Sequence, residues 1–246
     1  MTMEVKSPVP PMPSSMAMIR VLALIALFAG LSVVLVVHFT DPVIREKELQ
    51  ALEQAVFKVI PGVEPESAVR ISYSLNAKGL VRLEDDAAGA ANLFAVFDGS
   101  GKLAGIALQG AAQGYQDVVR TLYGYDPECE CIIGLTIMKS TDTPGMGDKH
   151  TVEANHAFMD NFRHLSVKLT ADKGSVAHPV ETVKHGTKTE EWQVDAISGA
   201  TITSRAIGKG LRQSTGELLP LIARHLQEIS KIPRNKEKSG TEVKKR

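Results

Sequence analysis

The chain has 246 residues, with 28 basic and 28 acidic side chains and a formal net charge of +0. This balance argues against nucleic acid as a partner, and an aromatic content of 5% argues against platforms for stacking bases. The length allows one or two domains, and one domain of ordinary size remains once the N-terminal segments are set aside.

An apolar run occupies residues 21–40 and contains no Asp, Glu, Lys or Arg. As a helix it would span about 30 Å, enough for a bilayer core. A cleaved signal peptide is the competing interpretation, but the run is long for one and no small-x-small cleavage site follows it. We therefore predict a retained transmembrane anchor over residues 19–40, preceded by a proline-rich, disordered cytoplasmic tail over residues 1–18.

Periodicity beyond the anchor predicts an α+β domain over residues 63–232, because hairpin-linked strands are mixed with helices without βα alternation. A connecting helix is predicted over residues 41–62, ending at Pro61-Gly62. A basic, disordered tail is predicted over residues 233–246. The predicted strands are 70–73, 93–97, 103–108, 132–138, 165–170 and 191–197; the predicted helices are 152–162, 202–211 and, after the interruptions at Gly216 and Pro220, 219–229.

The most informative stretch is residues 195–201, Asp-Ala-Ile-Ser-Gly-Ala-Thr, between a strand-like run and a helical pattern. Gly199 can take a positive φ at such a turn. Thr201 and Thr203 then lie near a helix N-terminus, where free amides and the positive end of the helix dipole attract anions. The simplest interpretation is that one of these threonines caps the helix.

The same turn resembles the flavinylation motif of proteins that carry FMN covalently, through a phosphoester to a threonine hydroxyl. A second stretch, Thr-Pro-Gly-Met-Gly at residues 143–147, resembles the Thr-Pro-Gly-Leu-Gly segment of that family. The chain most resembles the G subunit of Rnf-type electron transport complexes, and the C subunit of the sodium-pumping NADH:quinone reductase is a near relative. It departs from the family at Ser140 and Asp142, where members often have His and Glu.

The resemblance implies that Thr201 is the covalent FMN acceptor. It further implies cofactor contacts from two groups of residues: Ser198, Gly199, Ala200 and Thr203 in the turn, and Pro144, Gly145, Met146 and Gly147 in the second motif. A separate flavin transferase, using FAD and a divalent metal, would attach the cofactor. The flavin would make the chain an electron carrier within an ion-translocating complex, a redox subunit rather than a free-standing enzyme.

The expected partners are other membrane subunits of that complex, the transferase and membrane lipid.

The charges flanking the anchor give a near tie under the positive-inside rule. The relatives hold the flavin domain outside the bacterial cytoplasmic membrane, so the resemblance implies a single-pass protein with a periplasmic domain. Two alternatives stay open: the equivalent subunit of a sodium-pumping quinone reductase, and an unflavinylated membrane-anchored binding module that kept the turn for helix capping.

Three other residues have more than one interpretation. Asp195 is either a strand-end residue that bonds turn amides or a base beside Thr201. Cys129 and Cys131, one residue apart, allow a strained disulfide, part of a metal or cluster site shared with a partner, or packed free thiols. No metal site and no catalytic residue are predicted.

Overall fold

The structure, a computed structural model, describes residues 14–83, 91–115, 117–139 and 155–231. The chain divides into two compact units, Met1–Glu48 and Leu49–Arg246. The second predicted motif, including Pro144, Gly145, Met146 and Gly147, lies outside the described residues. The departures at 140 and 142 and the predicted tail over 233–246 also lie outside them.

A single long helix, α1, runs from Ser15 to Lys58 and includes both the predicted anchor and most of the predicted connecting helix. It begins inside the segment predicted as a disordered tail, so residues 15–18 are helical, and it ends before Pro61-Gly62 as predicted. Its most apolar window has a mean hydropathy of 2.7, and none of that window is buried. By length and composition α1 suffices to cross a bilayer, although a signal sequence meets the same criteria.

The second unit is built on a seven-stranded antiparallel sheet in the order β2-β1-β3-β4-β5-β6-β7. A separate pair, β8 and β9, is parallel. The strands are β1 Val69–Asn76, β2 Gly79–Arg82, β3 Leu93–Phe97, β4 Leu103–Gln113, β5 Val118–Asp126, β6 Cys131–Lys139, β7 Leu165–Ser166, β8 Glu181–Val183 and β9 Gln193–Asp195. The helices of this unit, besides the end of α1, are α2 His156–Asp160 and α3 Thr201–Ile229. The α+β class predicted from the sequence is confirmed.

Helix α3 covers one face of the sheet as one continuous element, so the prediction of two helices divided by Gly216 and Pro220 is wrong. Pro220 costs the helix about 3 kcal/mol. The second half of the helix buries Leu219, Ile222 and Ile229 completely, and each such side chain contributes about 1.5–3 kcal/mol. Tertiary burial therefore outweighs the proline, which the local pattern does not reveal.

Three other predicted elements are shorter than expected. The strand predicted over 165–170 is β7, Leu165–Ser166, and that over 191–197 is β9, Gln193–Asp195. Of the helix predicted over 152–162, the described part contains the one turn of α2. A short pairing partner explains the short β9, because β8 offers it only three residues.

The sheet is buried on both faces. The α3 side includes a chain of buried hydroxyls: Ser214 donates to the Gln109 carbonyl at 2.7 Å, so the Tyr123 hydroxyl, 2.8 Å away, donates to Ser214. Burial raises the pKa of Tyr123, which keeps this phenol neutral. On the opposite face, the last turns of α1 pack on β3, β4 and β5 through a second apolar cluster that includes Val56 and Ile60.

Candidate functional site

The predicted turn joins β9 to α3 and has the expected backbone. Gly199 has a φ of +86°, a conformation that glycine adopts without strain. Ala200 is the N-cap residue and offers no side-chain hydrogen bond, while Thr201 is the first residue of the helix. The interpretation that Thr201 or Thr203 is the N-cap is therefore wrong. The first helical bond runs from the Ser204 amide to the Ala200 carbonyl at 3.0 Å. The amides that precede it have no acceptor within the helix, which favours an anion here.

The two threonines of the first turn differ in accessibility. Thr201 is half-buried, and within the described residues its hydroxyl makes no hydrogen bond. Thr203 is only 3% exposed. Ser198 and Gly199 are exposed beside Thr201, whereas Ala200 is buried. The side chain of Thr201 is therefore partly accessible beside small neighbours, whereas the side chain of Thr203 is enclosed.

Ser204 holds the turn closed, and sequence reasoning missed it. Its hydroxyl accepts a hydrogen bond from the Ile197 amide at 3.1 Å and donates to the Ala200 carbonyl at 2.9 Å. The residue is fully buried. One side chain thus fixes both ends of the segment that presents Thr201. No sequence signal separates this serine from the neighbouring hydroxyl residues.

We expect Ser204→Ala to destabilise the chain by about 1–3 kcal/mol, because it leaves the buried Ile197 amide without an acceptor. The change would appear as a lower midpoint of thermal unfolding. Ser198→Ala, which removes an exposed hydroxyl from the same turn, is the matched control and should leave the midpoint unchanged. Equal midpoints for the two variants would show that Ser204 does not hold the turn.

Asp195 has the structural role that was one of its two interpretations. Its carboxylate accepts from the Gly186 amide at 2.7 Å, and its second oxygen lies 3.3 Å from Nδ1 of His185. The backbone of Asp195 is held by Asn161, whose Oδ1 accepts from the Asp195 amide at 3.1 Å. Lys188 donates to the same Oδ1 at 3.2 Å. These contacts, which the sequence did not predict, tie the turn to the segment after α2.

A cleft of about 320 Å³ opens beside the turn. Its lining is a mixture of amide, carboxylate, imidazole and apolar side chains: Asn155, Ala157, Phe158, Asn161, His185, Asp195, Ala196, Ile197 and Ser198. This volume is at the lower end of the range of small-molecule sites, about 300–1,000 Å³. Ser198 is the member of the predicted site that lines the cleft, and Thr201 follows it by three residues at the start of α3. The described residues therefore provide an accessible hydroxyl, outward-facing amides and an adjoining cleft, which fits a flavin phosphate ester.

Comparison with known proteins gives the family that part of this chain resembles. Residues 114–215, from just before β5 into α3, match the family model of the FMN-binding domain. This region of the chain is therefore similar to FMN-binding domains. Its turn at residues 195–201 lies within the matched region. The match supports FMN as the cofactor class, which is also what the resemblance of the motif implies.

Relatives of this chain carry consistent names. The chain is 26% identical to the G subunit of the ion-translocating oxidoreductase complex of Aliivibrio fischeri over 218 residues, 87% of this chain and 93% of the relative. It is 34% identical to the G subunit of the Na(+)-translocating ferredoxin:NAD(+) oxidoreductase complex of Acetobacterium woodii over 105 residues, 43% of this chain and 44% of the relative. The crystal structure of Shewanella oneidensis NqrC superposes with a TM-score of 0.57 at 19% identity, covering 75% of this chain and 98% of that one, which shows a shared fold.

Proposed function

We propose that this protein is a membrane-anchored electron carrier whose FMN is joined by a phosphoester to Thr201, as a subunit of an Rnf-type ion-translocating ferredoxin:NAD oxidoreductase complex. The observation that carries the proposal is the hydroxyl of Thr201, which lies at the first helical position of a region similar to FMN-binding domains and makes no hydrogen bond within the described residues. The names of the relatives, both G subunits of ion-translocating complexes, support the assignment to an Rnf-type complex. The likeness to NqrC concerns the fold alone and gives no separate support to a quinone reductase.

The residues of the turn would bind the phosphate end of the cofactor. The outward amides at the start of α3 face the ester anion, and the positive end of the helix dipole favours it. Ser198, Gly199 and Ala200 add little bulk, which leaves Thr201 open to another protein's active site. We place the ring end of the cofactor toward the cleft, where Phe158 supplies an apolar wall. Thr203, behind Thr201, would support the helix start.

The second motif completes the proposed site. Pro144, Gly145, Met146 and Gly147 precede Asn155, which lines the cleft, by eight to eleven residues. The glycines there would allow close backbone approach to the ring. Bound flavin supplies reversible electron transfer, and the chain holds it in place permanently, so that it is not lost on the extracytoplasmic side. We propose neighbouring redox subunits as its electron donor and acceptor.

Attachment requires a base, since a threonine hydroxyl is a poor nucleophile. Asp195 is the carboxylate of the motif, but it already accepts from Gly186 and lies beside His185. We therefore propose that the base belongs to a separate flavin transferase that uses FAD as donor. A turn that is exposed at Ser198 and Gly199 is suited to entering that enzyme's active site.

We propose that α1 is a retained, single-pass anchor in the bacterial cytoplasmic membrane, with the FMN-binding domain on the periplasmic side. The chain should stay in the membrane pellet after alkaline carbonate washing. The double substitution Leu27→Arg with Leu31→Arg should release it, because each charge costs roughly 2.5–3.5 kcal/mol at the centre of a span. Val81→Arg, on an exposed residue of β2, is the control and should change nothing. A mature chain that begins after Thr40 would show instead that the N-terminal part of α1 is a cleaved signal.

Covalent flavin can be detected without assembling the complex. The chain is co-expressed with a flavin transferase, denatured, separated on a gel and viewed under ultraviolet light. We expect a yellow-fluorescent band at the chain's mass, because a phosphoester survives denaturation whereas bound FMN is released. A dark band beside a fluorescent known acceptor would exclude the covalent carrier and leave the unflavinylated binding module.

A further inference from the structure

Two cysteines and a histidine meet at the turn between β5 and β6, outside the residues used in the proposed function. Cys129 and Cys131 form a disulfide with their Cα atoms 5.2 Å apart, within the usual range for disulfides. The sequence left a disulfide, a shared metal site and free thiols open, and the structure shows the disulfide. The sulfurs of both cysteines and a ring nitrogen of His164 all lie within 4.8 Å of one another.

His164 is placed to act on one of the two sulfurs. Its Nδ1 lies 3.4 Å from Sγ of Cys131. An oxidised sulfur carries no hydrogen, so the ring N–H is the donor in this contact. The same N–H would stabilise a Cys131 thiolate, because it can donate a hydrogen bond to the charged sulfur.

The two sulfurs differ in accessibility. Cys129 is half-buried, whereas Cys131 is 2% exposed. A thiolate arriving from solvent therefore meets Sγ of Cys129 first. Attack there expels Cys131, the sulfur beside His164. Thiol–disulfide exchange is faster when the leaving thiolate is stabilised. Here the accessible sulfur of Cys129 is the one attacked, and the sulfur that leaves, that of Cys131, is the one beside His164.

The residue between the cysteines fixes this arrangement. The Glu130 carbonyl accepts from the Val167 amide at 3.0 Å, and its carboxylate accepts from the Leu169 amide at 3.0 Å. Cys131 also pairs with Ser166 in the β6–β7 ladder. The cysteine turn is thus bonded to the segment that follows His164, and none of these bonds depends on the disulfide.

The negative charges around the cysteine turn make His164 important for stabilising a thiolate there. Burial raises the pKa of Tyr125, and the negative charges of Glu130 and Asp126 raise it further. The same carboxylates would disfavour a thiolate at the cysteine turn. Lys102 is bound to Glu128 at 2.9 Å. The imidazole of His164, in contact with Cys131, can offset this negative field by donating a hydrogen bond.

We propose that Cys129–Cys131 is a redox-active disulfide that oxidises dithiols, with His164 as the residue that stabilises the leaving thiolate. A substrate thiolate attacks Cys129, the Cys129–Cys131 bond breaks, and Cys131 leaves as a thiolate beside His164. The second substrate thiolate then attacks the mixed disulfide and releases Cys129. The substrate loses two electrons and two protons and becomes a disulfide, and the cysteine pair gains the same electrons and protons. This activity requires no flavin.

The test uses the full-length chain, purified in detergent under air. Dithiothreitol is added under native conditions, samples are quenched with iodoacetamide, and alkylation of each cysteine is followed by mass spectrometry. We expect reduction of the folded chain, slowed about tenfold in His164→Gln. His178→Gln is the control, because His178 stacks on Trp192 and should leave the rate unchanged. Free thiols in the purified chain, or equal rates in wild type and His164→Gln, would overturn the proposal.

A second measurement needs no variant. The wild-type chain is treated with glutathione while iodoacetamide traps any released thiolate. The proposal predicts glutathione on Cys129 and the alkyl group on Cys131. The reverse distribution, or no adduct until the chain unfolds, would contradict the assigned roles even if His164→Gln does not fold.

Discussion

Thr201→Ala should abolish the covalent flavin completely, because it removes the one hydroxyl that the structure presents at the start of α3 in an accessible position. Co-expression with a flavin transferase followed by in-gel fluorescence measures the result. The folded state should survive, since the Thr201 hydroxyl makes no hydrogen bond within the described residues. Thermal unfolding of the variant would confirm that loss of flavin is not loss of fold.

Thr203→Ala is the matched control for this prediction. It removes a hydroxyl two residues away on the same helix, from a side chain that is 3% exposed. The fluorescence should remain, although some stability is lost with the buried group. Ser198→Ala tests the exposed hydroxyl of the turn and should also stay fluorescent. A dark Thr203→Ala band with a fluorescent Thr201→Ala band would show that the ester is not on Thr201.

The second large effect is expected where the end of α1 meets the sheet. Gly124 and Gly134 face each other across β5 and β6. A Cβ on Gly134 would lie 2.6 Å from the Val59 carbonyl oxygen, and one on Gly124 would also collide with that oxygen. The obstacle is backbone, so no rotamer relieves it. We expect Gly134→Ala to cost about 1–3 kcal/mol or more through overpacking, visible as a lower unfolding midpoint.

Gly216→Ala is expected to change the stability of the same chain in the opposite direction. Gly216 lies inside α3, and a Cβ there would have open space around it. Alanine should therefore stabilise the helix by about 0.5–1 kcal/mol, because it restricts the unfolded chain and favours the helix. Opposite signs for Gly134→Ala and Gly216→Ala would support the packing described. A loss of stability in both would show that α3 is not helical at Gly216.

The sequence predicted the elements whose signals are local. The hairpin of β3 and β4 is marked by two apolar runs on either side of Asp-Gly-Ser-Gly, and it is present in the structure. The positive φ of Gly199 and the helix start at Thr201 likewise follow from residue types within one turn. Such features depend on backbone conformations that few residue types allow, so they can be predicted from the local sequence.

The features that depend on contacts between distant parts of the chain could not be predicted from the sequence. Pro220 lies inside a helix because residues far along the chain bury its neighbours. Ser204 and Asn161 organise the turn through bonds to Ile197 and Asp195, and no local pattern marks either residue. The cysteines are one residue apart in sequence, but Cys129 lies in the β5–β6 turn and Cys131 begins β6. The partner of the pair, His164, comes from a segment 33 residues later.

The most direct measurement is the intact mass of the protein purified from its native host, followed by fragmentation to locate any added group. The account predicts the polypeptide mass plus one FMN less one water, with the addition on Thr201. A chain carrying only its polypeptide mass, from cells in which another protein is flavinylated, would contradict the proposal that this domain is a covalent FMN carrier.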